Sequence, residues 1–213
     1  MKKVLLTLIT IIISLPHFAQ GSSQSRNILD KAYANYENSK GIKIEFSFAA
    51  SENKTVHMQQ TGVAMVKGNK FKVETKDIET WYDGKTQWIL LKEYNEVNIS
   101  EPSIEEVASI SPTALLGMYK SGYTLSEPIN SKVNGKDASA ITLTPTNSKS
   151  DFKQITVAID KSNQTIVQVL LTLKNGVDNK IDITSYNTNY NFNDADFVFN
   201  KTKHPDVEVI DLR

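Results

Sequence analysis

From Gly41 onward the apolar residues of this chain recur at every second position. Ile42, Ile44, Phe46 and Phe48 are spaced by Lys43, Glu45 and Ser47, and Val56, Met58, Ala64 and Val66 resume the pattern after a short break. Successive side chains of a strand point to opposite faces, so this period of two describes strands with one apolar and one polar face. Turn sequences punctuate the rhythm. Lys67-Gly68-Asn69-Lys70 precedes Phe71, Asp83-Gly84 separates residues 78–82 from 86–91, and Asn134-Gly135, residues 160–163 and Asn175-Gly176 divide further runs at 132–133, 139–144, 154–159, 165–174 and 180–186. Connections this short join antiparallel neighbours, so the pattern predicts a meander of about ten strands. A final edge strand is expected in the tail, where Val207, Val209 and Ile210 repeat the alternation.

Two stretches depart from this period. Ser25 is placed to cap a helix whose apolar positions Ile28, Leu29, Ala32, Tyr33 and Tyr36 recur three and four apart until Ser39-Lys40-Gly41 ends it. Between Pro102 and Gly122, Ser103 and Glu106 form a capping-box pair and Pro112 sits at a first helical position, which predicts two short helices. Ile104, Val107, Ile110, Leu115, Leu116, Met118 and Tyr119 give these helices more apolar surface than a surface helix uses, so they should pack on the concave side of the sheet.

Residues 1–21 read as a secretory signal peptide. Lys2 and Lys3 precede an unbroken apolar run from Val4 to Leu15, followed by Pro16 and small residues, with cleavage expected after Ala19 or Gly21. The run is too short to span a membrane. The domain expected to remain is a single soluble unit, residues 22–213. The chain has no cysteine, so neither a disulfide framework nor a lipid anchor at the processing site is expected. Losing Lys2 and Lys3 from 24 basic residues leaves 22 against 24 acidic ones, with no basic stripe. That balance argues against nucleic acid or an anionic membrane surface as a partner.

Catalytic chemistry finds no foothold in the residues. His57 and His204 are far apart and lack cysteine neighbours, so no metal spacing exists, and Lys120-Ser121-Gly122 lacks the first glycine of a nucleophile elbow. Glu105 and Glu106 diverge by about 100° on a helix, and Asp194 and Asp196 lie in a polar turn; both pairs read as solvated charge. No glycine-rich phosphate loop or calcium loop occurs. No catalytic residue, cofactor or metal is expected. What stands out is apolar: Ile44, Phe46, Phe48, Met58, Val66, Phe71, Val73, Trp88, Leu90, Val169, Leu171 and Leu173. By pattern alone most of these read as core, although periodicity does not distinguish a filled interior from the wall of a ligand cavity.

Three blocks carry a resemblance. The string Gly62-Val63-Ala64-Met65-Val66-Lys67-Gly68-Asn69-Lys70-Phe71, the block Thr80-Trp81-Tyr82-Asp83-Gly84-Lys85-Thr86-Gln87-Trp88 and the closing Asp194-x-Asp196-Phe197-Val198-Phe199 resemble the LolA family of periplasmic lipoprotein carriers, over about residues 27–213. The resemblance implies a mainly β fold with helices: an incomplete, unclosed antiparallel β-barrel of ten to eleven strands, with an N-terminal helix and short lid helices over an apolar cavity. It implies that the twelve apolar residues above line an acyl-chain cavity, with the seven of the helical insertion as its lid. The implied partners are acylated lipoproteins, an inner-membrane lipoprotein-releasing transporter and an outer-membrane acceptor, served in the periplasm by a monomer. The same fold would also suit a sensor or scaffold that binds free lipid or an envelope protein without shuttling. Family members carry an arginine in a Lys-Arg-Pro string at a strand end, where it hydrogen-bonds the lid. Here the string is Lys67-Gly68-Asn69, so that arginine is not carried over, and Lys67 is left as the candidate latch, a point charge without the planar fork.

Overall fold

The computed structural model describes residues 18–213, without the side chains of residues 18–22, 105, 108, 109, 112, 113 and 115. Most of the expected signal segment therefore lies outside the described residues. The first element is α1 (Phe18–Glu37), then β1 (Ile42–Glu52), β2 (Thr55–Lys67), β3 (Lys70–Thr75), β4 (Ile78–Tyr82), β5 (Gln87–Leu91) and β6 (Glu96–Ser100). The helical insertion follows as α2 (Ile104–Ile110) and α3 (Pro112–Met118). The chain then returns to strands: β7 (Tyr123–Leu125), β8 (Ile129–Val133), β9 (Lys136–Pro145), β10 (Phe152–Asp160), β11 (Ile166–Leu173), β12 (Val177–Asn187) and β13 (Glu208–Asp211).

All thirteen strands belong to one sheet in the order β13-β6-β5-β4-β3-β2-β1-β12-β11-β10-β9-β7, with β8 on β9. Every pairing is antiparallel except β13 with β6. The two ends of this path do not pair with each other, so the barrel is unclosed as expected. Two strands escaped the sequence pattern. β7 is three residues long, too short to show a period, and β6 has only Val97 and Ile99 as apolar residues. The tail strand forms where alternation placed it.

The sheet buries apolar side chains on both faces. On the concave face Ile42, Ile44, Ala64, Val66, Phe71, Ile155, Val169 and Leu171 form one core with Leu29 and Ala32 of α1 and Leu116, Met118 and Tyr119 from the region of α3. Gly62 matters here: a Cβ at this position would come within 2.5 Å of the Phe46 ring, so only glycine lets that ring lie across β2. On the convex face Trp81, Leu90, Val97 and Val207 make a second, smaller core.

α1 begins earlier than its expected cap. Ser25 lies inside the helix, fully buried, and donates its hydroxyl to the Ser126 carbonyl at 2.5 Å. It pins the helix to the β7–β8 connection instead of ending it. With Ile28, Leu29, Ala32, Tyr33 and Tyr36 it forms the buried face that three- and four-residue spacing predicted. The helix ends where expected, with the Ser39 hydroxyl and amide both bonded to the Tyr36 carbonyl. The caps of the insertion also match: Ser103 N donates to Glu106 Oε2 at 2.7 Å, Glu106 N to Ser103 Oγ at 3.3 Å, and Ser111 caps α3 ahead of Pro112.

Candidate functional site

The helices α1, α2 and α3 lie over the concave face but do not fill it. A cavity of about 500 Å³ remains between Val66, Phe71 and Tyr82 of the sheet, Tyr33 and Tyr36 of α1, and Val107, Ala114 and Gly117 of the insertion. Its rim is polar, with Glu37, Asn69 and Lys70. The volume falls within the range of about 300–1,000 Å³ typical of small-molecule sites. Two further cavities border the same helix pair. One of about 720 Å³ runs from Ser103 and Glu106 to Phe152, Leu171 and Leu173. Another of about 450 Å³ lies under Ala114, Gly117 and Met118, against Tyr123 and Pro145. The helical insertion thus stands as a partition among three voids on the concave side.

The sheet's pleat and the caps above set this geometry. Phe71 and Tyr82 are cross-strand partners with ring centroids 5.1 Å apart. Burial, then the nearby Asp83 charge, raises the Tyr82 phenol above the ordinary tyrosine range; burial, then Glu37, does the same for Tyr33. Both rings stay neutral at physiological pH and present apolar faces. α3 is tied to α1 by Tyr119, whose hydroxyl donates to the Asp30 carboxylate and whose ring meets Tyr33 edge-on at 6.4 Å. α1 is tied to the β2–β3 turn by the Tyr36 hydroxyl, which donates to the Gly68 carbonyl.

Of the expected cavity residues, Val66 and Phe71 line the 500 Å³ void, and Leu171 and Leu173 the 720 Å³ one. Ile44, Phe46, Val73 and Val169 are buried beneath them in the concave core, with Phe48 half-buried at its edge. Three expectations fail. Trp88 and Leu90 belong to the convex core, because β5 pairs Gln87 with Tyr82 and Trp88 with Trp81; Ile89 and Leu91 take the concave face instead. Met58 is 52% exposed: the far half of β2 projects beyond the end of β3, which pairs only with residues 62–67. A bulge at His57 also shifts Val56 into register with Ser51, breaking the parity it was expected to share with Met58.

The lid residues divide similarly. Leu116, Met118 and Tyr119 are buried, and Val107 and Ile110 pack against them half-buried. Ile104 is 79% exposed at the first turn of α2, where it lines the mouths of the 500 Å³ and 450 Å³ voids rather than packing into the core. Leu115 is outside the residues whose side chains are described. Lys67 does not reach the lid. Its ammonium donates to the Phe192 carbonyl at 2.8 Å and pairs with Asp194 at 3.0 Å, on the convex side. Asp194 is shared with Lys70, at 2.9 Å, and these two bonds hold its carboxyl below the usual range, Lys70 first. The hydroxyl ties between these elements come from Tyr36, which joins α1 to the β2–β3 turn, and from Tyr119, which joins the end of α3 to α1. Sequence periodicity marked both as buried, but their hydroxyl partners come from distant segments.

The remaining polar candidates are structural. Asp196 accepts from the Asn193 amide in a short 3-10 turn, and Glu106 is held below the usual carboxyl range by the Ser103 amide. His204 stacks on Phe199 at 5.3 Å and meets Trp81 edge-on. Among the described residues no group of three or more His, Cys, Asp or Glu is placed to hold a metal, and no helix is long and apolar enough to cross a membrane.

An unclosed barrel with helices across its concave face and a largely apolar void between helices and sheet defines a fold of the open-barrel class. The chain belongs to the outer membrane lipoprotein carrier protein LolA family, whose model matches residues 15–177. Among solved structures, a conserved protein from Thermus thermophilus shares the fold at a TM-score of 0.59 and 13% identity, covering 88% of this chain and 99% of that one. An outer membrane lipoprotein-sorting protein domain from Vibrio parahaemolyticus gives 0.48 and 12%, covering 86% and 99%. The Mycobacterium tuberculosis lipoprotein LppX gives 0.49 and 13%, covering 80% and 99%. No curated protein matches the sequence.

Proposed function

We propose that the protein is an exported, periplasmic carrier that binds the acyl chains of lipoproteins on the concave face of its sheet and shuttles them from the inner to the outer membrane. The observation that carries this reading is the 500 Å³ void walled by Val66, Phe71, Tyr82, Val107 and Ala114, with a polar rim. An acyl chain gains about 0.8 kcal/mol for each CH₂ taken out of water, so a long chain supplies ample driving force for such a site. Family membership supports the same reading, as does the run of residues 1–21 read as a cleaved signal.

The test pairs binding with sorting. The purified protein is mixed with membranes bearing a triacylated lipoprotein, and soluble complex is measured; in parallel the protein is depleted from its host and the envelope fractionated. Soluble complex together with lipoproteins stalled at the inner membrane is the expected result. Binding of lipid or of an envelope protein with normal sorting would replace the carrier by a sensor or scaffold. No binding at all would overturn both.

A further inference from the structure

Among the described residues, the concave face carries an amide donor that the fold leaves unused. Cross-strand pairing makes a row on the concave face: Val66 opposite Phe71, Phe71 opposite Tyr82, Tyr82 opposite Gln87, and Gln87 opposite Ser100. Residues directly opposite in antiparallel strands share a face, with Cβ atoms about 5 Å apart. Val66, Phe71 and Tyr82 line the 500 Å³ cavity, and so does Pro102, two residues beyond Ser100. Gln87 therefore shares the row and face of the lining residue Tyr82, one step behind the void's own lining. It is 3% exposed. Its Oε1 accepts a long bond from the Ser100 hydroxyl at 3.5 Å, while its Nε2 is buried with no hydrogen-bond partner.

A buried amide donor without an acceptor is destabilising, and folded proteins rarely leave one so. Of its two direct neighbours in the row, Tyr82 offers a ring and Ser100 only a long bond to the Gln87 oxygen, so neither takes up the amide donor. We infer that the Gln87 amide is a ligand-recognition group: its Nε2 donates to the carbonyl oxygen that joins an acyl chain to its head group, an ester or an amide. The inference rests on the carrier reading and sharpens it, because hydrocarbon alone would leave the donor unpaired. A carbonyl at one end of a bound chain satisfies it while the methylenes contact Val66, Phe71 and Tyr82. The cavity would then fix the depth of the chain as well as sheltering it.

The test uses the whole mature protein and Gln87→Leu, which keeps the volume and removes the orphan donor; its stability should equal or exceed that of the parent. Affinities are measured for three probes of equal chain length: a dialkyl ether glycerol, the diacyl ester and an N-acyl amide. The parent should favour one or both carbonyl probes over the ether by roughly three- to tenfold, the worth of one neutral hydrogen bond. Gln87→Leu should bind the ether as the parent does and lose the preference. Which carbonyl probe is favoured identifies the linkage read. Equal affinities in the parent, or a preference that survives in Gln87→Leu, would overturn the inference while leaving the carrier reading intact. Failure of the parent to bind any probe would instead overturn the carrier reading.

Discussion

At the scale of single residues, the cavity depends on what is missing as much as on what is present. Gly117 lines two of the voids, and a Cβ there would meet nothing nearer than the Tyr33 ring at 3.9 Å. A Cβ therefore fits at 117 without a clash; the remaining carbons of Gly117→Leu should extend into the voids, and replacing a helical glycine should stabilise the fold by about 0.5–1 kcal/mol. Acyl-probe affinity should fall at least several-fold. A variant that gains stability and binds normally would show that chains enter elsewhere. Tyr119 offers a test by pH. Burial first, then the Asp30 hydrogen bond and charge, push its phenol above the ordinary tyrosine range, against a smaller opposite pull from Arg26. A phenol that is harder to ionise folded than unfolded contributes its full stability below the unfolded value of about 10 and loses it as pH rises beyond. Above that pH the unfolding midpoint of the parent should fall more steeply than that of Tyr119→Phe. Parallel profiles would place the sensitive group elsewhere.

At the scale of elements, parity decides which face a residue serves, and parity is where the sequence was legible and where it was not. Alternation placed β1, the near half of β2, β3 and β11 on their correct faces, because each is long enough for the period to repeat. Trp88 and Leu90 went to the wrong side because the turn at Asp83-Gly84 resets the register, and a five-residue strand offers no internal check. Val56 was misplaced by the His57 bulge, an extra residue with no sequence mark. Lys67 was drawn to the lid by resemblance, but its strand parity matches Met65 on the convex face. Caps behaved better, since Ser103, Glu106 and Ser111 act within one turn of themselves. The voids themselves were not legible: they come from how far α2 and α3 stop short of the sheet. The two faces should separate experimentally. Trp81→Ala, in the convex core, should lower stability by about 3–5 kcal/mol as read from urea unfolding, while the folded fraction binds acyl probe unchanged. A loss of affinity with unchanged stability would put Trp81 on the ligand's side of the sheet.

At the scale of the whole molecule, the two cores are assembled from different parts of the chain. The concave core joins α1, both halves of the sheet and the insertion, whereas the convex core is completed by Val207 and Phe199 from the tail. Its cover is fastened at points remote in sequence: Asn95 donates to the Asp206 carbonyl across 111 residues, and β13 then runs parallel to β6. Closing so long a loop takes its entropy before any contact returns it, so this is among the slowest kinds of contact to form. A ribosome delivers the tail last. Without Val207, Phe199 and β13, the convex core would lack part of its cover and β6 would be an unpaired edge. For a polypeptide threaded through a translocation channel before it folds, as the proposed export requires, that cover would go on only after residues 199–211 had crossed, so the last-made contact would coincide with arrival on the far side.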